Sequence, residues 1–214
     1  MQIFVINLPS AIERRKLQKD QLTKLGLKYK ILNATSTIDI NEDTYKKHYF
    51  DWQRPLINTE VACYFSHRSA WETVIKIREP ALILEDDAIL SKTLPELLVN
   101  LSDFENADLI NLENRSRKKF VSNSHLDIGC NSKLLRLYQD RTGAAGYILW
   151  PSGAKKLIQF EKNSGIGLAD AHITGCHALQ AYQVEPSPII QLDQCKDYGI
   201  KNLSLIHISE PTRL

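Results

Sequence analysis

Ala81-Leu82-Ile83-Leu84-Glu85-Asp86-Asp87-Ala88-Ile89-Leu90 is an apolar run interrupted by three adjacent carboxylates. Ala81 to Leu84 is too short for a helix and follows Pro80, a boundary residue, so a strand buried on both faces is predicted. Three acids at the end of a buried strand are an electrostatic fault unless something cationic joins them. A divalent cation held together with a polyphosphate fits, because Mg²⁺ or Mn²⁺ takes one or two protein carboxylates plus phosphate oxygens. Open α/β sheets bind ligands at the carboxyl ends of their strands, where Glu85 to Asp87 would lie.

The flanking sequence supplies an α/β frame. Gln2 to Leu8 reads as a first strand, broken by Pro9 and Ser10. Ser10 and Glu13 have capping-box spacing and Gly26 is a natural stop, so a helix over Ala11 to Leu25 follows. Leu27 to Leu32 completes a β-α-β unit, the opening of a nucleotide-binding domain. Asp39 to Arg54 has no clean period and reads as irregular or short helix. Thr59 or Asn58 caps the next helix, whose stripe Val61, Tyr64, Phe65, Arg68, Trp71, Glu72 and Ile75 steps by three and four. Arg68 and Glu72 within that stripe should pair with each other or with something buried. Further on, a helix is predicted near Leu94 to Leu101 and a strand at Asp108 to Glu113. A loop reaches Asn131, with strands at Leu134 to Tyr138 and Gly146 to Trp150. Helices follow from Pro151 to about Phe160 and near Cys176 to Ala181. Pro186 and Pro188 limit the rest to short or edge strands.

Composition narrows the class. A chain of 214 residues, 43% hydrophobic and 24% charged, suits one soluble globular domain. A net charge of +2 is too small for a nucleic-acid binder. No apolar run approaches a membrane span, and the N-terminus reads as a strand and not a leader. Cys63, Cys130, Cys176 and Cys195 form no C-x-x-C pair, which fits free thiols in a reducing compartment, so a cytoplasmic location is expected. Ser204 to Leu214 continues no pattern and looks like read-through of an adapter or vector fragment. On that expectation the domain is 1–203, the native C-terminus is missing and His207 carries no functional weight.

Four segments in order resemble glycosyltransferase family 25, the bacterial lipooligosaccharide glycosyltransferases. They are Val5-Ile6-Asn7-Leu8 with Glu13-Arg14-Arg15; Glu60 to Glu72 with Cys63, Ser66, His67 and Trp71; Leu84-Glu85-Asp86-Asp87; and Gly143 to Leu149 followed by Gly153 to Leu157. The resemblance covers roughly residues 2–193. It implies a GT-A-like α/β fold with a mixed central sheet flanked by helices. It also implies a divalent metal (Mn²⁺ or Mg²⁺) and a nucleotide-sugar donor, often UDP-galactose or UDP-glucose. The implied reaction is hexosyl transfer with inversion, here onto a lipid-linked oligosaccharide at the inner face of the cytoplasmic membrane. The chain departs from the family at Asp170-Ala171-His172, where alternating aspartates are usual, and in the loop around Tyr45 to Trp52.

On that resemblance Asp87 ligates the metal, and Glu85 shares it or, like Asp86, reaches the ribose or a bound water. Alternation along the strand places Glu85 and Asp87 on one face and Asp86 on the other. Asn7, Arg14 and Arg15, just after the first strand, are candidates for donor recognition, with an ordinary solvated helix face as the alternative. His67 is expected to line the donor or acceptor pocket. An inverting transfer needs a base for the acceptor hydroxyl. Asp170, after a glycine-rich loop, is the candidate, with His172 as either the base itself or a third metal ligand. The alternative is a helix-capping aspartate beside a surface histidine. Gly143 to Gly146 serves either close backbone approach to the donor or a tight turn. Arg115 to Lys119 reads as a solvated basic loop. A sugar nucleotidyltransferase is the rival enzyme, but Asn7-Leu8-Pro9-Ser10 is no phosphate loop. An inactive sugar-binding paralogue is the rival outside catalysis.

Overall fold

The computed structural model describes residues 1–197 and 199. Its strands are β1 (Gln2–Asn7), β2 (Lys30–Asn33), β3 (Ala81–Glu85), β4 (Ala88–Leu90), β5 (Leu109–Asn111), β6 (Phe120–Asp127), β7 (Lys133–Gln139), β8 (Gly146–Leu149), β9 (Ala181–Glu185) and β10 (Ile189–Gln191). Its helices are α1 (Ile12–Lys24), α2 (Glu42–His48), α3 (Asn58–Ile77), α4 (Leu94–Asn100), α5 (Pro151–Ser164) and α6 (Ala169–Gly175). Eight strands form one mixed sheet in the order β2-β1-β3-β8-β5-β9-β7-β6, and β10 pairs with β4 in a small second sheet. This is the expected mixed α/β sheet flanked by helices.

The sheet is buried on both faces near its centre, which is why its strands read as unbroken apolar runs. One face carries Phe4, Ile6, Ile83, Leu109, Tyr147 and Leu149 against Tyr64, Trp71 and Val74 of α3, Leu157 of α5 and Ile173 of α6. The other carries Ile3, Val5, Leu82, Leu84, Ile110 and Ile148 against Leu22 of α1 and Leu94, Leu97 and Leu98 of α4. Burying any one such side chain contributes roughly 1.5–3 kcal/mol.

Strand directions decide where the site lies. β1 runs parallel to β2 and β3, β8 runs antiparallel to β3, and β5 runs antiparallel to β8 and parallel to β9. The carboxyl ends of β1, β3 and β5 and the amino end of β8 therefore share one edge. Asn7, Glu85 to Asp87, Asn111 to Glu113 and Gly143 to Gly146 all lie along it.

Several local expectations are corrected. The first helix has Ala11 as its cap with no side-chain bond, so Ser10 and Glu13 form no capping box. The helix α3 starts at Asn58, and the carboxylate of Glu60 accepts from the Ile57 N–H. The predicted loop before Asn131 contains β6, an edge strand whose residues are almost all exposed and so show no apolar alternation. The predicted helix near Cys176 to Ala181 is absent. The helix lies earlier, at Ala169–Gly175, and Ala181 begins β9, whose Ala181 and Val184 are fully buried in the sheet. The segment Asp39 to Arg54 contains the short helix α2, capped by the Asn41 side chain. Arg68 reaches Glu72 at 2.6 Å, as expected, and Glu161 of α5 at 2.7 Å. The tail Ser204 to Leu214 lies outside the described residues.

Candidate functional site

The three carboxylates after β3 face different partners. Glu85 turns toward α3, where one oxygen meets His67 Nε2 at 2.9 Å and the other accepts from Gln191 Nε2 at 3.1 Å. Asp86 turns to the opposite side and accepts from Asn7 Nδ2 at 2.8 Å and Arg14 Nη1 at 3.2 Å. Glu85 and Asp86 thus meet different partners, but the strand ends at Glu85, and Asp87, expected on the face of Glu85, shares Arg14 with Asp86. Asp87 lies beyond the strand, with Oδ2 at 3.8 Å from Arg14 Nη1. Its Oδ1 is buried with no hydrogen-bond partner among the described residues.

Helix α1 braces this edge. Arg15 Nε donates to Asn7 Oδ1 at 2.8 Å, which orients the amide that reaches Asp86. Gln18, fully buried, donates to the Asp86 and Ala88 carbonyls. Asn7 and Arg14 therefore belong to the acidic centre, and Arg15 acts on it through Asn7. His67 is 1% exposed, with Nδ1 at 2.9 Å from the Tyr147 hydroxyl, which also accepts from Trp71 Nε1 at 2.9 Å. The aromatic core of α3 and β8 thus fixes the ring that holds Glu85.

A fourth carboxylate joins from just beyond β5. Glu113 is fully buried, and its Oε2 accepts from the Ala145 N–H at 2.8 Å. Its Oε1 has no partner among the described residues. Gly143 has a φ of +97°, and a Cβ there would lie 2.6 Å from Glu113 Oε2, so glycine serves both the turn and the carboxylate. The Ala145 carbonyl in turn accepts from the Glu85 N–H at 2.9 Å. Sequence reasoning placed Glu113 at the end of a strand but missed its role. The available signal was an acid closing a buried apolar run, the same pattern as Glu85.

Crowding sets the charge states. Burial first, then the charge of Glu85, pushes the Asp87 carboxyl up to about 8 against the pull of Arg14. Burial pushes Glu113 up to about 7, offset in part by the Ala145 N–H. Burial also raises Asp86, opposed by Asn7 and Arg14. Burial works against a charge on Glu85, but the hydrogen bond and charge of His67 prevail and hold it low. Burial likewise opposes an imidazolium at His67, yet Tyr147, Cys63 and Glu85 keep its pKa well above the ordinary value. The edge thus holds a firm His67–Glu85 pair beside two carboxyls that favour their protons.

Two orphaned, buried carboxylate oxygens at such a place suit a hard divalent cation, which takes oxygen ligands. Asp87 and Glu113 each carry one of these oxygens, and Glu85 is the carboxylate whose charge acts most on Asp87. Cys63, His67 and Glu85 also bring potential ligand atoms within 4.8 Å of one another. That softer set suits zinc, and both nitrogens of His67 are already engaged.

Asp170 and His172 lie elsewhere, on α6 across from α3. The Asp170 carboxylate is half-buried in the first turn and accepts from the Ala171 N–H at 2.8 Å. His172 is 4% exposed, stacked on Trp71 at 5.5 Å, with Nε2 donating to the Leu157 carbonyl at 3.1 Å. Burial holds its pKa below the ordinary value. Neither touches the β3 carboxylates, although Trp71 and Tyr147 connect His172 to His67.

A family model described as glycosyltransferase family 25 (LPS biosynthesis protein) matches residues 1–173. A Haemophilus influenzae protein provisionally named a glycosyltransferase is 27% identical over 171 residues, which cover 78% of this chain and 60% of that protein. Human procollagen galactosyltransferase 2 is 29% identical over 112 residues, covering 48% of this chain and 18% of its own. The matches thus span about three fifths or less of these curated relatives' lengths. Among solved structures, the inositol-1-phosphate CTP transferase from T. maritima superposes with a TM-score of 0.50 at 10% identity, covering 98% of each chain, a likeness of fold alone.

Proposed function

The chain belongs to glycosyltransferase family 25, and on that premise we propose that it transfers a hexose from a nucleotide diphosphate sugar to a hydroxyl of a lipid-linked oligosaccharide. The preferred donor is UDP-galactose, in keeping with the galactosyltransferase names among its relatives, and the acceptor is a lipooligosaccharide core. The observation that supports this most is the acidic edge, where Asp87 and Glu113 each keep a buried, unpartnered carboxylate oxygen and Arg14 reaches Asp86 and Asp87.

In this reading Glu85, Asp87 and Glu113 would hold a divalent metal, which would supply positive charge to the diphosphate leaving group. Arg14 contacts a phosphate oxygen, and Asn7, oriented by Arg15, fixes Asp86 next to it. His67 holds Glu85 in place from beneath. The acceptor oxygen forms its bond to the anomeric carbon while the bond to the phosphate oxygen breaks, and its electron pair leaves with UDP. Asp170 takes the acceptor's proton. Attack opposite the leaving group inverts the anomeric centre. A lipid-linked acceptor places this work at the inner face of the cytoplasmic membrane. Among the described residues no helix is long and apolar enough to cross one.

The test is UDP release over a panel of UDP-sugars with Mn²⁺ and purified lipooligosaccharide, with and without chelator. Release from one sugar, dependent on both metal and acceptor and yielding an extended glycan, is expected. Release of pyrophosphate from a nucleoside triphosphate and sugar phosphate instead would move the chain to the nucleotidyltransferases.

A further inference from the structure

The acidic edge is not the only place shaped for a ligand. A cavity of about 350 Å³ opens between the segment Asp51 to Gln53, the loop Gly165 to Gly167 and helix α6. That volume is at the small end of ligand sites. Trp52, Phe160 and His172 supply aromatic walls. Thr174 lines it too, and its hydroxyl is buried with no partner among the described residues. Asp51 stands at the rim, with Oδ2 accepting from the Ile166 N–H at 3.1 Å and lying 2.6 Å from His48 Nδ1. Its other oxygen has no bond among the described residues.

The glycines keep the cavity open and its walls close. A Cβ on Gly165 would stand 2.7 Å from the Asp51 carboxylate, and one on Gly167 3.1 Å from the Trp52 ring. Side chains at either position would push the Asp51–Trp52 segment away.

The cavity adjoins the acidic edge through one short stretch of chain. Thr142 lines it, and its carbonyl accepts from Lys119 Nζ at 3.3 Å and Asn111 Nδ2 at 3.4 Å. Three residues on, Ala145 binds both Glu113 and Glu85. Three residues of extended chain span at most about 10 Å, a distance that one sugar ring and its substituents bridge.

We propose that this cavity is a pyranose subsite that seats the terminal sugar of the acceptor. A pyranose has an apolar C–H face, which suits the indole of Trp52 and the ring of Phe160, and a rim of hydroxyls, which suits the Asp51 carboxylate at the mouth. The cavity and its ligand chemistry stand on their own geometry, and only the assignment of the sugar to the acceptor rests on the transferase reading.

The test uses ¹⁵N-labelled protein and three probes, methyl β-D-galactopyranoside, methyl β-D-glucopyranoside and methyl α-D-mannopyranoside. The chain has three tryptophans, so the indole N–H resonances can be assigned individually. At least one glycoside should move the Trp52 indole signal in a saturable way, and Asp51→Asn, which keeps an acceptor for the Ile166 N–H, should weaken that response about tenfold, equivalent to ~1.4 kcal/mol. A Trp52 signal unmoved by all three glycosides, or an unchanged affinity in folded Asp51→Asn, would overturn the subsite. Metal-dependent UDP binding is read in the same samples. UDP binding without a glycoside response removes the subsite alone. A glycoside response without UDP binding keeps the subsite and removes the transferase reading.

Discussion

Asp87→Asn should abolish metal-dependent UDP binding and lower transfer by about 10²–10³-fold or more, while making the metal-free protein more stable. The two effects share a cause. The Asp87 carboxyl is pushed up to about 8 in the folded chain, first by burial and then by Glu85, against about 3.9 when unfolded. A carboxyl raised on folding favours the fold while it stays protonated. Its contribution is fully present below pH ~4 and is lost as pH rises through about 8. Asparagine mimics the protonated form and keeps that contribution at pH 8. The gain there is on the order of 2 kcal/mol, well short of the full linkage value, because the group is coupled to Glu85, Asp86 and Glu113. Urea unfolding in chelator at pH 5 and pH 8 reads it. Wild type should lose stability relative to the variant on going to pH 8, and Mn²⁺ should restore it in wild type alone. A variant less stable than wild type at pH 8 in chelator would show that Asp87 serves the fold and not a bound ion.

Asp170→Asn should lower transfer to acceptor by about 10²–10⁴-fold with UDP and metal affinity unchanged. Asp170 is on α6, away from the β3 carboxylates, with one oxygen on the Ala171 N–H. Asparagine preserves that bond but cannot take a proton. The loss should fall on kcat and not on acceptor KM, and slow hydrolysis of donor in the absence of acceptor should persist. A variant with wild-type kcat would leave the base to another residue. The equivalent change at His172 should instead lower stability, since its ring is packed among Tyr64, Trp71 and Phe160.

What the sequence revealed follows from which constraints are local. The β3 strand and its acids were readable because an apolar run covered on both faces has no room for three charges without purpose. Asn7 and Arg14 were readable because Asn7 closes the first strand and Arg14 follows it, and parallel pairing of β1 with β3 brings them to Asp86. Glu113 was not, because its importance comes from β5 running parallel to β3 with β8 between them, a topology that no local pattern encodes. The edge strand β6 hid for the opposite reason, since it buries too little to show a period. His172 looked like a reachable histidine until α3 and α5 enclosed it. The aromatic cavity draws on residues 51–53, 142 and 160–175, which only the fold assembles.

The central claim is that the acidic edge binds a nucleoside diphosphate through a divalent cation. Calorimetric titration of UDP into the wild-type protein, with Mn²⁺ and again after chelation, tests it most directly. Saturable binding with Mn²⁺, at least about 100-fold weaker without it (roughly 2.7 kcal/mol), is predicted, with proton release at pH 7 as Asp87 and Glu113 give up protons they hold in the metal-free state. Equal affinity in Mn²⁺ and in chelator, or no binding in either, would contradict it.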